Sequence, residues 1–326
     1  MREIRYIDAI REAIGEEMRR DEAVFVLGET IGPRGGDFTE TKGLWSEFGE
    51  KRLVDTPISE LGFTGLAVGA AMTGLRPIVD IQFWDFAFEA MGQIMEQAAR
   101  IHYLSNGKIK VPLVVLGSIG VGQSAGGHHS NSPYVLYAHM PGLKVVVPAT
   151  PYDAKGLLKT AIRDDDPTMF FFHRGLNNTR GPVPEEEYTI PLGEGTVVRQ
   201  GTDVTLVATA KMVSLAEQAA EAVSGEGISV EVIDPRTLVP LDKDTILNSI
   251  RKTTRIVVVD EAYSTCGVGA EVAALAAEGE AFYYLDAPIR RIHSLAVPAP
   301  SSPPLEKAML PSLDQVVAGL REVMNQ

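Results

Sequence analysis

Short apolar runs recur along this chain, each followed by a stretch with helical spacing. That alternation restricts the available folds more than any other feature. In the first part the runs cover residues 24–28, 78–83, 111–116, 143–147 and 169–172; in the second they cover 204–208, 229–233, 256–260 and 282–285. They read as continuous rather than alternating runs, the pattern of strands covered by helices on both faces. Between them, residues 6–19, 87–104, 151–162, 213–223, 243–251, 268–277 and 313–324 carry apolar side chains near helical spacing, and a further helix starts near Ser59. Residues 37–53 read as loop with one short helix. Strands of about five residues separated by helices build parallel βαβ units, so two three-layer α/β/α domains are expected.

The alternation breaks once. Residues 177–195 hold Gly181, Pro182, Pro184, a Glu185-Glu186-Glu187 run and Pro191, which is linker chemistry. A boundary near 190 gives domains of 1–190 and 191–326, a division that a chain of 326 residues supports easily.

Composition narrows the partners. The net charge of −13 disfavours nucleic acid and anionic membrane surfaces, and Arg290-Arg291 is only a short basic cluster. No run approaches the roughly 18 apolar residues of a spanning helix. Met1-Arg2-Glu3-Ile4-Arg5 lacks the apolar core of a signal peptide, so a cytoplasmic location is expected, or an organelle matrix after removal of a transit peptide. The single cysteine, Cys266, excludes an internal disulfide and a cysteine-built zinc site and reads as a small structural residue.

Four constellations could carry chemistry. In Asp55-Thr56-Pro57-Ile58-Ser59-Glu60, Ser59 can cap a helix with Glu60 in its first turn. Glu60 then either complements the helix dipole or is a carboxylate at a strand-to-helix junction, where open α/β sheets bind ligands. Glu29 follows the strand over 24–28 and has the same two readings. Phe83-Trp84-Asp85-Phe86 is an aromatic cluster suited to a core, an interface or a flat cofactor. The run Gly117 to Ser130 imitates a dinucleotide fingerprint, yet a His128-His129-Ser130 loop follows where that motif needs a helix. A loop bringing histidines to a cleft fits better.

Over residues 3–321 these pieces resemble the beta subunit of thiamine-diphosphate-dependent 2-oxo acid dehydrogenases of the pyruvate, branched-chain and acetoin types. The most specific stretch runs from Asp55-Thr56-Pro57-Ile58-Ser59-Glu60 through Gly62-Phe63-Thr64-Gly65 to Gly74-Leu75-Arg76-Pro77. His139-Met140-Pro141-Gly142-Leu143-Lys144, Asp153-Ala154-Lys155-Gly156-Leu157 and Pro303-Pro304-Leu305-Glu306 support it.

The resemblance implies a transketolase-like pyrimidine-binding domain, a transketolase C-terminal-like domain and an α2β2 heterotetramer with an alpha subunit. Thiamine diphosphate would lie between alpha and beta, with magnesium and the diphosphate held by alpha. The absence of any Gly-Asp-Gly here agrees with such a split. A lipoyl acyltransferase core would be a further partner, docking on the C-terminal domain. Carried over by position, Glu60 is the acid that hydrogen-bonds the aminopyrimidine, its proton affinity raised by an apolar cleft. Phe86 packs against that ring, and Glu29 lies in an acidic tunnel between active sites. His129, with His128 beside it, stands near substrate and lipoyl group. Leu113, Ala161, Ile162, Asp164 and Asp166 match a structural potassium site built mainly of backbone carbonyls.

The chain departs from the family at His128, where glutamine is usual, and at Gly92, where aspartate is frequent. After the strand over 169–172 it departs again, with His173-Arg174-Gly175-Leu176-Asn177-Asn178 in place of a glutamate and an apolar-tyrosine pattern. These positions bear on which 2-oxo acid or ketone is used. Two competing readings are the C-terminal half of a split transketolase acting on sugar phosphates and a non-catalytic scaffold or regulatory subunit.

Overall fold

The computed structural model describes residues 1–326. It divides into two compact units, Met1–Gly120 with His128–Leu192, and Val121–Gly127 with Gly193–Gln326.

The first unit contains strands β1 (Arg2–Arg5), β2 (Val24–Gly28), β3 (Leu53–Asp55), β4 (Arg76–Phe83), β5 (Val114–Ile119), β6 (Lys144–Val146), β7 (Thr168–His173) and β8 (Arg180–Val183). Its helices are α1 (Tyr6–Arg20), α2 (Leu44–Phe48), α3 (Glu60–Met72), α4 (Ile101–Leu104), α5 (Tyr134–Ala138) and α6 (Pro151–Arg163). Six strands run parallel in the order β6-β7-β5-β4-β2-β3. The parallel βαβ expectation is met here because the apolar runs are buried on both faces. Ile7, Ile10 and Ile14 of α1 join Leu157, Leu158 and Ile162 of α6 over Val26, Leu116, Phe170 and Phe172.

Four local expectations change. Ser59 stands at the N-cap of α3, but its side chain makes no capping bond; its carbonyl receives Phe63 N–H at 3.0 Å. The helix expected over 87–104 is three pieces: a 3₁₀ turn at Phe86–Phe88, a π-helix at Gly92–Ala98 and α4. The Ala99 N–H reaches back to Ile94 O at 3.0 Å, the wide i→i+5 bond that defines a π turn. β5 starts at Val114 rather than 111, since Pro112 cannot donate to a ladder, and runs on to pair Ile119 with His173. The linker chemistry near 180 includes β8, which pairs antiparallel with β1.

The second unit contains β9 (Thr196–Arg199), β10 (Val204–Ala208), β11 (Val230–Asp234), β12 (Thr237–Val239), β13 (Ile256–Tyr263) and β14 (Arg290–Ser294). Around them lie α7 (Met212–Ser224), α8 (Lys243–Thr253), α9 (Val268–Ala277), α10 (Pro303–Met309) and α11 (Leu313–Met324). The sheet order is β14-β13-β10-β11-β9, parallel except for β9. Residues 282–285, expected as a strand, lie mostly in a 3₁₀ turn at Glu280–Tyr284 with exposed aromatic rings. The last strand is the more polar β14, an edge strand with both arginines exposed; a search for wholly apolar runs passes over such a strand. The Val121–Gly127 segment is tied into this unit by two buried carboxylates. Glu261 accepts Val121 N–H at 2.6 Å, and Glu306 accepts Gly122 N–H at 2.9 Å and Ser124 N–H at 3.0 Å. Cys266 is exposed rather than packed, with φ 54°. No helix is long and apolar enough to cross a membrane.

Candidate active site

The chain leaves β2 for β3 on one side and returns to β4 on the other, so β2 and β4 flank a topological switch point. Ligands in open parallel sheets bind outside the C-terminal strand ends at such a point. β7, β5, β4, β2 and β3 are consecutive neighbours, and the segments that follow their ends supply the candidate side chains. Gly28 closes β2 against β4: a Cβ there would sit 2.4 Å from the Asp80 carbonyl oxygen.

Glu29 directly follows β2 and is half-buried, and its Oε1 is shielded from water without a hydrogen-bond partner. Burial raises its proton affinity above that of an ordinary carboxylate, and the charges of Glu60 and Asp37 add to the effect. Glu60, first residue of α3 and also half-buried, is therefore an electrostatic neighbour of Glu29. The two sequence-selected carboxyls thus lie near enough for the charge of Glu60 to raise the proton affinity of Glu29.

The wall beyond β4 is aromatic. Phe83 and Phe86 meet edge-on at 5.4 Å, and His129 packs edge-on against both, at 4.9 Å and 5.2 Å. Phe86 and His129 are half-buried, whereas His128 is exposed. Trp84, from the same motif, is core: fully buried and stacked on Phe171 at 3.8 Å.

The groups that hold this wall stood in the sequence only as part of the aromatic motif (Asp85) and of the departure from the family (Arg174), without this role. Asp85 is buried and accepts the Asn131 side-chain amide together with its N–H. Burial raises the Asp85 pKa, while Asn131 and the charge of His129 oppose the rise. Arg174, just after β7, donates to Ser130 Oγ at 2.8 Å. An acid among aromatics and a cation after an apolar strand were the available signals.

A second unforeseen feature is the buried pair Glu40 and Asp80. The Phe38 N–H donates to Glu40 Oε2 at 2.8 Å and the Gln82 N–H to Asp80 Oδ1 at 2.9 Å. Their remaining oxygens have no donor when both acids are ionised. The two side chains are close enough to raise proton affinity at Glu40, and one proton shared between them would satisfy both free oxygens. Gly36 makes the room, since a Cβ there would meet Glu40 Oε1 at 2.2 Å.

The five residues assigned to potassium lie at β5 and the end of α6. Leu113 O accepts Thr168 N–H at 2.8 Å, and Arg76 Nη1 donates to Ile162 O at 3.0 Å and Asp164 O at 2.8 Å. Lys144 Nζ pairs with the carboxylates of Asp164 and Asp166 at 2.6 and 3.1 Å, and Ala161 is buried on α6. Each of these carbonyls keeps a second lone pair. No group of three or more His, Cys, Asp or Glu side chains is placed to hold a metal.

Two family models match: the transketolase pyrimidine-binding domain over residues 2–179 and the transketolase C-terminal domain over 193–316. The acetoin:2,6-dichlorophenolindophenol oxidoreductase beta subunit of Bacillus subtilis is 45% identical, covering 98% of this chain and 96% of its own. The 2-oxoisovalerate dehydrogenase beta subunit of the same organism is 45% identical, covering 98% of each. The pyruvate dehydrogenase E1 beta subunit of Rickettsia felis is also 45% identical, covering 97% of each. The chain belongs to this family of dehydrogenase E1 beta subunits. Membership in the beta-subunit family implies thiamine diphosphate dependence and an alpha-subunit partner. Among solved structures, a split-gene transketolase described as an inactive beta4 tetramer aligns with TM-score 0.80 at 23% identity, covering 99% of this chain and 98% of its own. Transketolase from Leishmania mexicana aligns with TM-score 0.75 at 20% identity, this chain spanning 46% of it. At those identities the likeness speaks for the two-domain fold alone.

Proposed function

We propose that this chain is the beta subunit of a thiamine-diphosphate-dependent 2-oxo acid dehydrogenase and supplies the pyrimidine side of an active site that an alpha subunit completes. The observation that carries the reading is the Glu29–Glu60 carboxyl pair at the β2/β4 switch point. The shielded, unpartnered Glu29 Oε1 and the adjacent aromatic wall suit a flat heterocycle that brings N–H donors, as an aminopyrimidine does. Magnesium and the diphosphate would belong to alpha in an α2β2 assembly, in the cytoplasm or an organelle matrix. A potassium ion at Leu113, Ala161, Ile162, Asp164 and Asp166 would use the spare carbonyl lone pairs beside Arg76.

When bound, the cofactor supplies the carbon nucleophile and the electron sink that allow a 2-oxo acid to lose carbon dioxide. Glu60 holds at its carboxyl the proton exchanged with the aminopyrimidine, and Phe86 fixes the plane of that ring. His129 stands where a lipoyl group would arrive, with exposed His128 at the rim. As a lipoyl disulfide is reduced and one sulfur takes the acyl group, His129 would deliver the proton that the other sulfur takes.

The test combines this chain with its cognate alpha subunit, thiamine diphosphate and magnesium. Pyruvate, branched-chain 2-oxo acids and acetoin are offered with 2,6-dichlorophenolindophenol as acceptor, and a ketose phosphate with an aldose acceptor in parallel. Dye reduction with one of the first three supports the reading. Ketol transfer without dye reduction would overturn it in favour of a split transketolase.

A further inference from the structure

The segment after β7 is where the chain leaves its family's pattern, and there the structure places a cation behind the histidine. Arg174 is only 3% exposed. Its Nη2 donates to Ser130 Oγ at 2.8 Å, and its guanidinium carbon lies 5.9 Å from the centroid of the Phe83 ring. Ser130 is the next residue after His129, and Phe83 is one of the two rings against which His129 packs. One side chain thus holds both the hydroxyl of the residue beside the imidazole and the ring against which the imidazole packs. The turn that carries Arg174 is itself secured, because His173 Nδ1 accepts Gly175 N–H at 3.0 Å. Gly120 leaves space for that imidazole: a Cβ at 120 would fall 2.2 Å from His173 Nε2. On the other side, buried Asp85 holds Asn131. Residues 129–131 are therefore clamped between a cation and a carboxylate.

We infer that Arg174 is a positioning residue that sets the orientation of His129 for acyl transfer by holding Ser130 and Phe83 together. The inference rests on the role proposed above for His129. A guanidinium suits the task because it donates in its plane while its face covers an aromatic ring, which an ammonium does less well. Burying a charge is costly, so a buried arginine at this point is more consistent with orientation than with stability alone.

The test uses the reconstituted alpha–beta enzyme with two acceptors, the dye and a lipoylated acyltransferase domain. Arg174→Met should lower kcat with the lipoyl acceptor by about tenfold, the cost of a misplaced reacting group. The dye reaction and the KM for the 2-oxo acid should stay within about twofold to threefold, and Arg174→Lys should recover part of the loss. Ser130→Ala should produce a smaller loss of the same acceptor-specific kind, and its effect should largely vanish in the Arg174→Met background. Equal losses with both acceptors, or no loss with either, would overturn the inference. If Arg174→Met fails to fold, an unchanged lipoyl reaction in Ser130→Ala would overturn it instead. His129→Gln in the same assays separates the two levels. Without an acceptor-specific loss there, the reading of His129 falls and takes this inference with it. With such a loss, a silent Arg174→Met refutes only the positioning role.

Discussion

The α1–α6 interface and the C-terminal ends of β2 and β4 both bury ionisable groups, and they treat them in opposite ways. Between the helices Glu16, Glu17, Lys155 and Lys159 each meet an opposite charge. Glu17, with a side chain 1% exposed, pairs with Arg163 at 2.7 Å and Arg20 at 2.6 Å. Glu16 receives Lys155 and Lys159, each at 2.7 Å. Burial opposes ionisation of Glu16, but the two lysines outweigh it and hold the carboxyl below its ordinary pKa. At the strand ends, Glu29 gathers no cation, and the fully buried Glu40 and Asp80 act on one another instead. All three bind protons more tightly than free carboxylates, burial being the largest cause for each. Paired buried charge stays ionised and fixes a helix; buried acid without a cation holds on to its proton.

The largest expected effect separates rate from stability. Glu60→Gln should cut turnover of the reconstituted enzyme by about 10²–10⁴, the usual yield of an acid–base group, while the thermal midpoint of the chain stays put. Steady-state kinetics beside calorimetry checks it, and a comparable fall in both would erase the contrast between the regions.

Glu17→Ala should do the reverse. It removes the carboxylate that Arg163 and Arg20 share at a packed interface and should cost about 3 kcal/mol, no more than the lower end for a broken buried pair because Arg163 keeps Glu187 and both arginines reach water. Denaturant unfolding measures the loss.

The Glu40–Asp80 pair predicts a pH dependence. Asp80 is pushed up to about 6, and Glu40 well above its ordinary value. Between the unfolded carboxylate range near pH 4 and these raised values, the folded state binds more protons than the unfolded chain. Stability therefore falls as pH rises through that window. Glu40→Gln keeps a donor for Asp80 and an acceptor for the Phe38 N–H, so it should flatten the fall and stabilise the chain at pH 8 by about 1–3 kcal/mol. A variant no more stable than the wild type at pH 8 would mean that the pair is not protonated in the fold.

The smallest effect concerns α3. Gly69 is exposed within the helix, with nothing inside 4 Å of the position a Cβ would take. Gly69→Ala should stabilise the isolated chain by about 0.5–1 kcal/mol, the difference in helix propensity. Loss of alpha-subunit binding in the same variant would show that this bare face is reserved for a partner.

Much of the fold was legible because burial on both faces writes parallel strands as apolar runs, as at 24–28 and 204–208. What escaped were elements whose residues answer to one face or to geometry, such as edge strand β14 and the π-helix at Gly92–Ala98. In the site, Glu29, Glu60, Phe86 and His129 were visible as residue types at strand ends. Their supports were not, because Asp85–Asn131, Ser130–Arg174 and Glu40–Asp80 each join residues 40 or more positions apart. Only the folded chain reveals that Arg174 and Asp85 hold the same loop.

The central claim is that this chain holds half of a cofactor site. Calorimetric titration of thiamine diphosphate with magnesium, into the chain alone and then into the chain mixed with its cognate alpha subunit, tests it most directly. The account predicts no measurable binding to the chain alone and tight binding to the mixture, weakened by Glu60→Gln. Tight, magnesium-dependent binding by the chain alone would contradict it.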